Sequence, residues 1–245
     1  MKYIITESQY KLLFEEDKEQ KILKLPNLDY FGSWEILQKF LEKRGNPLFS
    51  IDGDLYLAET DIESINNLVS VGGFLSLRDS NIKSLKNLKY VKGDLTLRNT
   101  SIEDLNNLIS VGGDLDCSSL RSKLRRLDNL KTVNGGLYLE YTLIESLDKL
   151  EYVGDALFLS GIPIKSLKSL YSVGGDFDMR NTPIEHLDRL EYVGGMLNLE
   201  DSNIKSLKNL ETVGSYVVLT GTPLSETTTE EELTNQISTR HRIYM

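Results

Sequence analysis

The chain has 245 residues, 40% hydrophobic and 27% charged, with a formal net charge of -9 and a single cysteine, Cys117. One cysteine excludes an internal disulfide and a cysteine-based zinc site, so stability must come from packing, and the acidic balance argues against general nucleic-acid binding. No apolar run approaches a membrane span, and Met1 to Gln20 lacks the apolar centre of a secretory signal. The expectation is a soluble, cytoplasmic or otherwise intracellular protein with no membrane partner.

Residues 1–50 precede any repetition. Thr6 to Gln9 has the form of a capping box with Tyr10, Leu13 and Phe14 at helical spacing, predicting a helix from about Glu7. Ser33 reads as the N-cap of a second helix carrying Trp34, Leu37, Phe40 and Leu41 on one face and stopping near Gly45. Two amphipathic helices ahead of a repeat array read as a helical cap over an open core.

Residues 51–224 repeat with a period of about twenty. The units beginning at Gly73 and Gly195 share the decapeptide DSNIKSLKNL, at Asp79 to Leu88 and Asp201 to Leu210. Aligned units put Leu55, Leu75, Leu95, Leu115, Leu137, Leu157, Phe177, Leu197 and Val217 at one position, and Leu57 through Cys117 to Leu219 two residues on. Spacing by two is that of a short strand with one buried face. Ile82, Leu85, Leu88 and Val91, with their equivalents, form the apolar return leg. Such self-similarity is the signature of a stacked solenoid.

With these columns in place, the chain resembles the leucine-rich repeat family, whose consensus apolar positions Leu75, Leu77 and Ile82 match. Two departures stand out. The family's first Leu falls at Gly72, and its Asn is replaced by Thr60, Ser80, Thr100, Thr142, Thr182, Ser202 and Thr222. A hydroxyl ladder can satisfy part of the same buried backbone demand. The fold implied is an α/β repeat solenoid: a parallel sheet of about nine short strands, roughly 40 Å long, a convex side of extended chain or 3₁₀ turns, and helical caps at both ends. The second cap is expected in residues 225–245, where Thr228 to Glu231 has the form of a capping box ahead of Leu233 and Ile237.

The resemblance implies a protein-binding scaffold working through the outward residues of its strands. Candidates there are Tyr56, Phe74, Arg78, Arg98, Asp116, Tyr138, Phe158, Asp178, Arg180 and Met196, with Tyr141 beside them. Tyr138, Phe158 and Tyr141 form either an aromatic binding centre with a charged rim or cross-strand pairs that stabilise the sheet. The fourth unit carries two extra residues, and its segment Ser118 to Leu127 gathers Arg121, Lys123, Arg125 and Arg126. This basic bulge reads as a contact for an acidic partner or as a tolerated insertion. Glu63, Lys83, Glu103, Arg125, Glu145, Lys165, Glu185 and Lys205 alternate in sign through consecutive units, as expected for pairing between rungs. Asp94, Asp114 and Asp116 sit on neighbouring rungs without a calcium-loop pattern, so no metal and no cofactor is expected.

His186 and His241 occupy unrelated positions, no Ser or Cys nucleophile is placed beside either, and the Gly-Gly pairs recur as turns, not as a phosphate loop. The chain therefore reads as non-enzymatic. Two functions are consistent with it: a binder of another protein through its strand face, or a structural component of a larger assembly. The opening MKYIITESQYKLLFEE resembles the starts of some tailed-phage proteins, which implies a virion as a second location.

Overall fold

In the computed structural model, residues 22–119, 122–147, 149–239 and 242–245 are described below. Each unit runs through two strands of mostly two residues, such as Tyr90–Val91 and Leu95–Thr96, separated by a three-residue corner. The first strands of all units, from Leu23–Leu25 to Ser238–Thr239, make an 11-stranded parallel sheet; the second strands, from Leu55–Tyr56 to Ile243–Tyr244, make a 10-stranded parallel sheet. Partners lie one unit apart in register, as in Tyr90↔Ser110 and Leu95↔Leu115. The molecule is a β-solenoid with two parallel sheets. One sheet was expected; the second occupies part of what the repeat pattern presents as return chain. The rest of the arc is turn and extended chain, joined by isolated bridges such as Ser64↔Ser84 and His186↔Ser206.

The columns read from the sequence line one continuous core from Leu23 to Ile243. A single rung buries Leu75, Leu77, Ile82, Leu85, Leu88 and Val91 almost completely, each worth about 1.5–3 kcal/mol. Such short strands leave many backbone groups to the turns. Hydroxyls serve one turn: Ser80, Thr100, Thr142 and Thr182 donate to the carbonyls of Leu77, Leu97, Leu139 and Met179 at 2.6–2.8 Å. Asparagines serve another, with the Asn107 and Asn129 amides donating to the Lys86 and Asn106 carbonyls of the preceding rung. Carboxylates serve the corner between the sheets. Asp54, Asp94, Asp114 and Asp176 accept from the backbone N–H groups of Phe74, Asp114, Gly136 and Met196 at 2.7–2.9 Å.

At the N-terminal end, α1 (Trp34–Glu42) starts on Ser33, whose hydroxyl accepts from the Ile36 N–H. It buries Trp34, Leu37 and Leu41, with Trp34 against Phe49. At the C-terminal end, Thr222 caps α2 (Pro223–Thr227), and a capping box of Thr229 and Glu232 opens α3 (Glu230–Gln236). The box falls one residue later than the expected Thr228 to Glu231. Three threonines precede three glutamates here, so the pattern fits several registers, and α2 claims the chain as far as Thr227. Leu233 and Ile237 are buried as expected. The helix predicted from Glu7 lies outside the described residues. No helix among the described residues is long and apolar enough to cross a membrane.

Candidate functional site

The outward side chains of the second sheet form three separate groups. At the N-terminal end, Tyr56 is 66% exposed and its ring meets that of Phe74 at 5.3 Å. At the centre, Tyr138 and Phe158 are cross-strand neighbours with nearly parallel rings, 5.4 Å between centroids and 14° apart. At the far end Tyr216 meets Tyr244 edge-on. Met196 is half-buried, its N–H held by Asp176. Tyr141 does not join Tyr138 and Phe158. It stands exposed on the turn beyond the strand, with φ +63°.

Carboxylates surround the central stack. Asp116 and Asp178 are the register partners of Tyr138 and Phe158 on the rungs to either side. Asp178 is buried and held by Arg180 through a forked pair, with Nη2 to Oδ2 at 2.7 Å. Asp116 accepts from the Ser118 hydroxyl and faces Arg98 at 3.7 Å. Arg78 is turned to Asp79 and Glu59. Glu140 has one buried carboxylate oxygen without a hydrogen-bond partner. Burial, and then the Asp116 and Asp178 charges, raise its pKa above the usual carboxylate value. Burial and the nearby carboxylates likewise raise the Tyr138 phenol. The face thus presents a half-buried aromatic step in an acidic field, relieved by two arginines.

The fourth unit interrupts the stack. Leu124 takes the core place of the missing Ile. A cleft of about 540 Å³ is lined by Asp79, Ser80, Asn81, Arg98, Asn99, Ser118, Ser119 and Tyr141. Lys123, Arg125 and Arg126 are exposed nearby, and Arg121 lies outside the described residues. Arg126 is engaged by Asp104 at 3.5 Å and Asp128 at 3.7 Å, so it is not a free cation. Cys117, on the core side of this unit, is buried, and burial pushes its thiol pKa far up, which suits packing and not nucleophilic chemistry.

The alternating charges pair in one direction. Lys83, Lys165 and Lys205 each reach back to Glu63, Glu145 and Glu185 of the preceding rung, at 2.6–2.9 Å. Across the insertion the link passes one residue along, to Arg126 and Asp104. Asp94 and Asp114 are occupied by backbone N–H groups, and no converging metal-ligand cluster occurs among the described residues. Reading units one at a time missed the cleft and the outward tyrosines of the first sheet, since both exist only between rungs. The signal available was the column Ser70, Tyr90, Ser110, Thr132, Tyr152, Ser172, Tyr192 and Thr212, uncharged throughout. No protein-family model matches the chain, and comparison with curated proteins and with solved structures returns no match.

Proposed function

We propose that this protein is a non-enzymatic, leucine-rich-repeat-like scaffold that binds another protein through the outward face of its second sheet. The observation that carries the reading is the Tyr138–Phe158 stack, half-buried and bracketed by Asp116, Glu140 and Asp178. Aromatic anchors inside a polar rim are where interfaces concentrate binding energy. An acidic surround favours a partner that presents Arg or Lys, which can lie over an aromatic ring while its charge meets the carboxylates. In this reading α1 and the C-terminal helices cover the ends of the core.

The test is affinity capture from the source cells with the wild type and with Tyr138→Ala, Phe158→Ala, both first shown by circular dichroism and thermal melting to be folded. A partner held by the wild type alone supports the reading. Equal capture by both proteins overturns it as stated. A second reading, a fixed component of a larger assembly such as a phage particle, draws on the exposed aromatics at the two ends of the second sheet, Tyr56 and Tyr244. It predicts incorporation into particles whatever stands at Tyr138 and Phe158.

A further inference from the structure

The first sheet presents a different surface from the second. From Ser70 to Thr212 its outward column, Ser70, Tyr90, Ser110, Thr132, Tyr152, Ser172, Tyr192 and Thr212, is in continuous register and holds no charge, Lys24 entering the column only at the first strand. Tyr90 and Tyr192 are 43% and 44% exposed. Beside it runs a second column, Lys89, Ile109, Lys131, Glu151, Tyr171, Glu191 and Glu211. Each N–H of that column donates to the carbonyl one rung back, as in Ile109 to Lys89, Glu151 to Lys131 and Glu191 to Tyr171, at 2.8–3.0 Å. This column is polarised: both lysines lie in the N-terminal half and all three glutamates in the C-terminal half. Lys89, Lys131, Glu151 and Glu191 form no ion pair among the described residues.

We propose that this face docks a second copy of the chain, antiparallel, about a two-fold axis parallel to the strands and passing between the Thr132 and Tyr152 rungs. That operator reverses the order of the rungs and keeps each column opposite itself. Lys131 then faces Glu151 of the second copy, Lys89 faces Glu191, Ile109 faces Tyr171, and Tyr90 faces Tyr192. Every free charge of the inner rungs meets its opposite twice over, as a closed two-fold interface requires. A two-fold along the solenoid axis would set each rung against itself and lose these pairs. The strip from Ser70 to Thr212 is roughly 34 Å long at the usual strand spacing. At roughly 10 Å wide it is smaller than the ~800 Å² per partner of a standard interface, so the dimer is weak and concentration-dependent. It uses neither Tyr138 nor Phe158 and stands or falls independently of the proposed function.

Sedimentation equilibrium of the full chain, from micromolar to millimolar and at low and high salt, tests it. The wild type is expected to pass reversibly from monomer to dimer, and less so in high salt. Lys89→Glu with Lys131→Glu makes the inner column wholly acidic, and Glu151→Lys with Glu191→Lys makes it basic. Each double variant is expected to self-associate at least tenfold more weakly. An equimolar mixture of the two, in which all four pairs are restored, two as in the wild type and two with reversed sign, is expected to dimerise again. A wild type that stays monomeric throughout overturns the proposal, as do variants that associate like the wild type or a mixture that stays monomeric. The exchange of charge between two separately folded variants separates a specific interface from a general effect on stability.

Discussion

The corner between the sheets and the turn that follows the second sheet both reverse the chain once per rung, yet they tolerate different residues. At the corner, a Cβ on Gly154, Gly174, Gly194 or Gly214 would overlap the carbonyl oxygen of the rung below. At the later turn the residue has positive φ on almost every rung, occupied in order by Glu59, Asp79, Asn99, Tyr141, Gly161, Asn181, Asp201 and Gly221. No backbone stands in the way there at Gly161, where nothing lies within 4 Å of a Cβ, and at Gly221 a Cβ would meet chiefly the Asp201 side chain. One turn is limited by stacking, the other only by backbone conformation. Stacking over a neighbouring backbone makes glycine the commonest residue of the corner column, where Lys92 and Asn134 fit only on rungs whose neighbours give way, whereas a left-handed φ costs a side chain about 1–2 kcal/mol.

The sharpest way to break this contrast is to place alanine at both. Gly194→Ala must displace the Gly174 carbonyl and with it the rung below. It is expected to cost about 3 kcal/mol or more, the upper range for overpacking, and to lower Tm by roughly 6–12 °C for a chain of this size. Gly161→Ala, at φ +69° in open space, is expected to cost about 1 kcal/mol. Equal losses in thermal melts would remove the distinction.

The hydroxyl ladder provides the next test. Thr182→Val keeps shape but leaves the Met179 carbonyl without its 2.7 Å donor, for an expected loss of about 1–2 kcal/mol. Ser202, at the equivalent position, is buried with its hydroxyl unpartnered, so Ser202→Ala is expected to be neutral or slightly stabilising. Chemical denaturation of both variants would show whether the hydroxyl acts through its bond or only fills the column, as Ile162 does.

Much of this fold was legible because the repeat averages out local ambiguity. Nine copies of the Leu-x-Leu column, the Thr and Ser ladder, the Ser33-capped helix and the Glu63–Lys83 type of pair all follow from aligned residues. The second sheet was not legible. Its strands contribute two residues each, one outward like Ser110 and one buried like Val111, too short for alternation to register, and the glycines after them read simply as turns. The candidate site was legible only in outline. Sequence placed Tyr138, Phe158, Asp116 and Asp178 on one face, but that Tyr141 belongs to the fourth-unit cleft depends on the turn geometry. That Asp178 is buried against Arg180 depends on side-chain reach, which no periodicity encodes.

Tyr141 sharpens the comparison from the permissive side. It is the one aromatic in a column otherwise filled by Asp, Asn, Glu and Gly, it is 64% exposed, and it lines the cleft. Its left-handed backbone is thus held with little packing of the ring. Tyr141→Asn is expected to raise stability by about 0.5–1 kcal/mol, because Asn enters the left-handed region at less cost. A loss of stability on denaturant titration would show instead that the ring supports the inserted unit.

The smallest effect expected depends on pH. Burial raises the folded pKa of Glu140 above its ordinary value; its own N–H opposes this, the Asp116 and Asp178 charges add to it, and Arg98 opposes it least. The folded state therefore holds the proton more tightly than the unfolded chain. Whatever stability this group gives is complete below the ordinary carboxylate pKa of about 4.3 and is lost as pH rises through the raised value. Glu140→Gln removes that loss. It is expected to raise Tm at neutral pH by about 1–3 °C, a figure kept small because the group is about half in water and screened, and to leave Tm unchanged near pH 4. A gain of the same size at both pH values would assign the effect to packing. A gain confined to low pH would reverse the sign and place the strain on another carboxylate of the central face. If the neutral-pH gain is found and partner capture falls in the same variant, the unpartnered Glu140 oxygen is held at a cost to the fold in order to meet a cation on the partner.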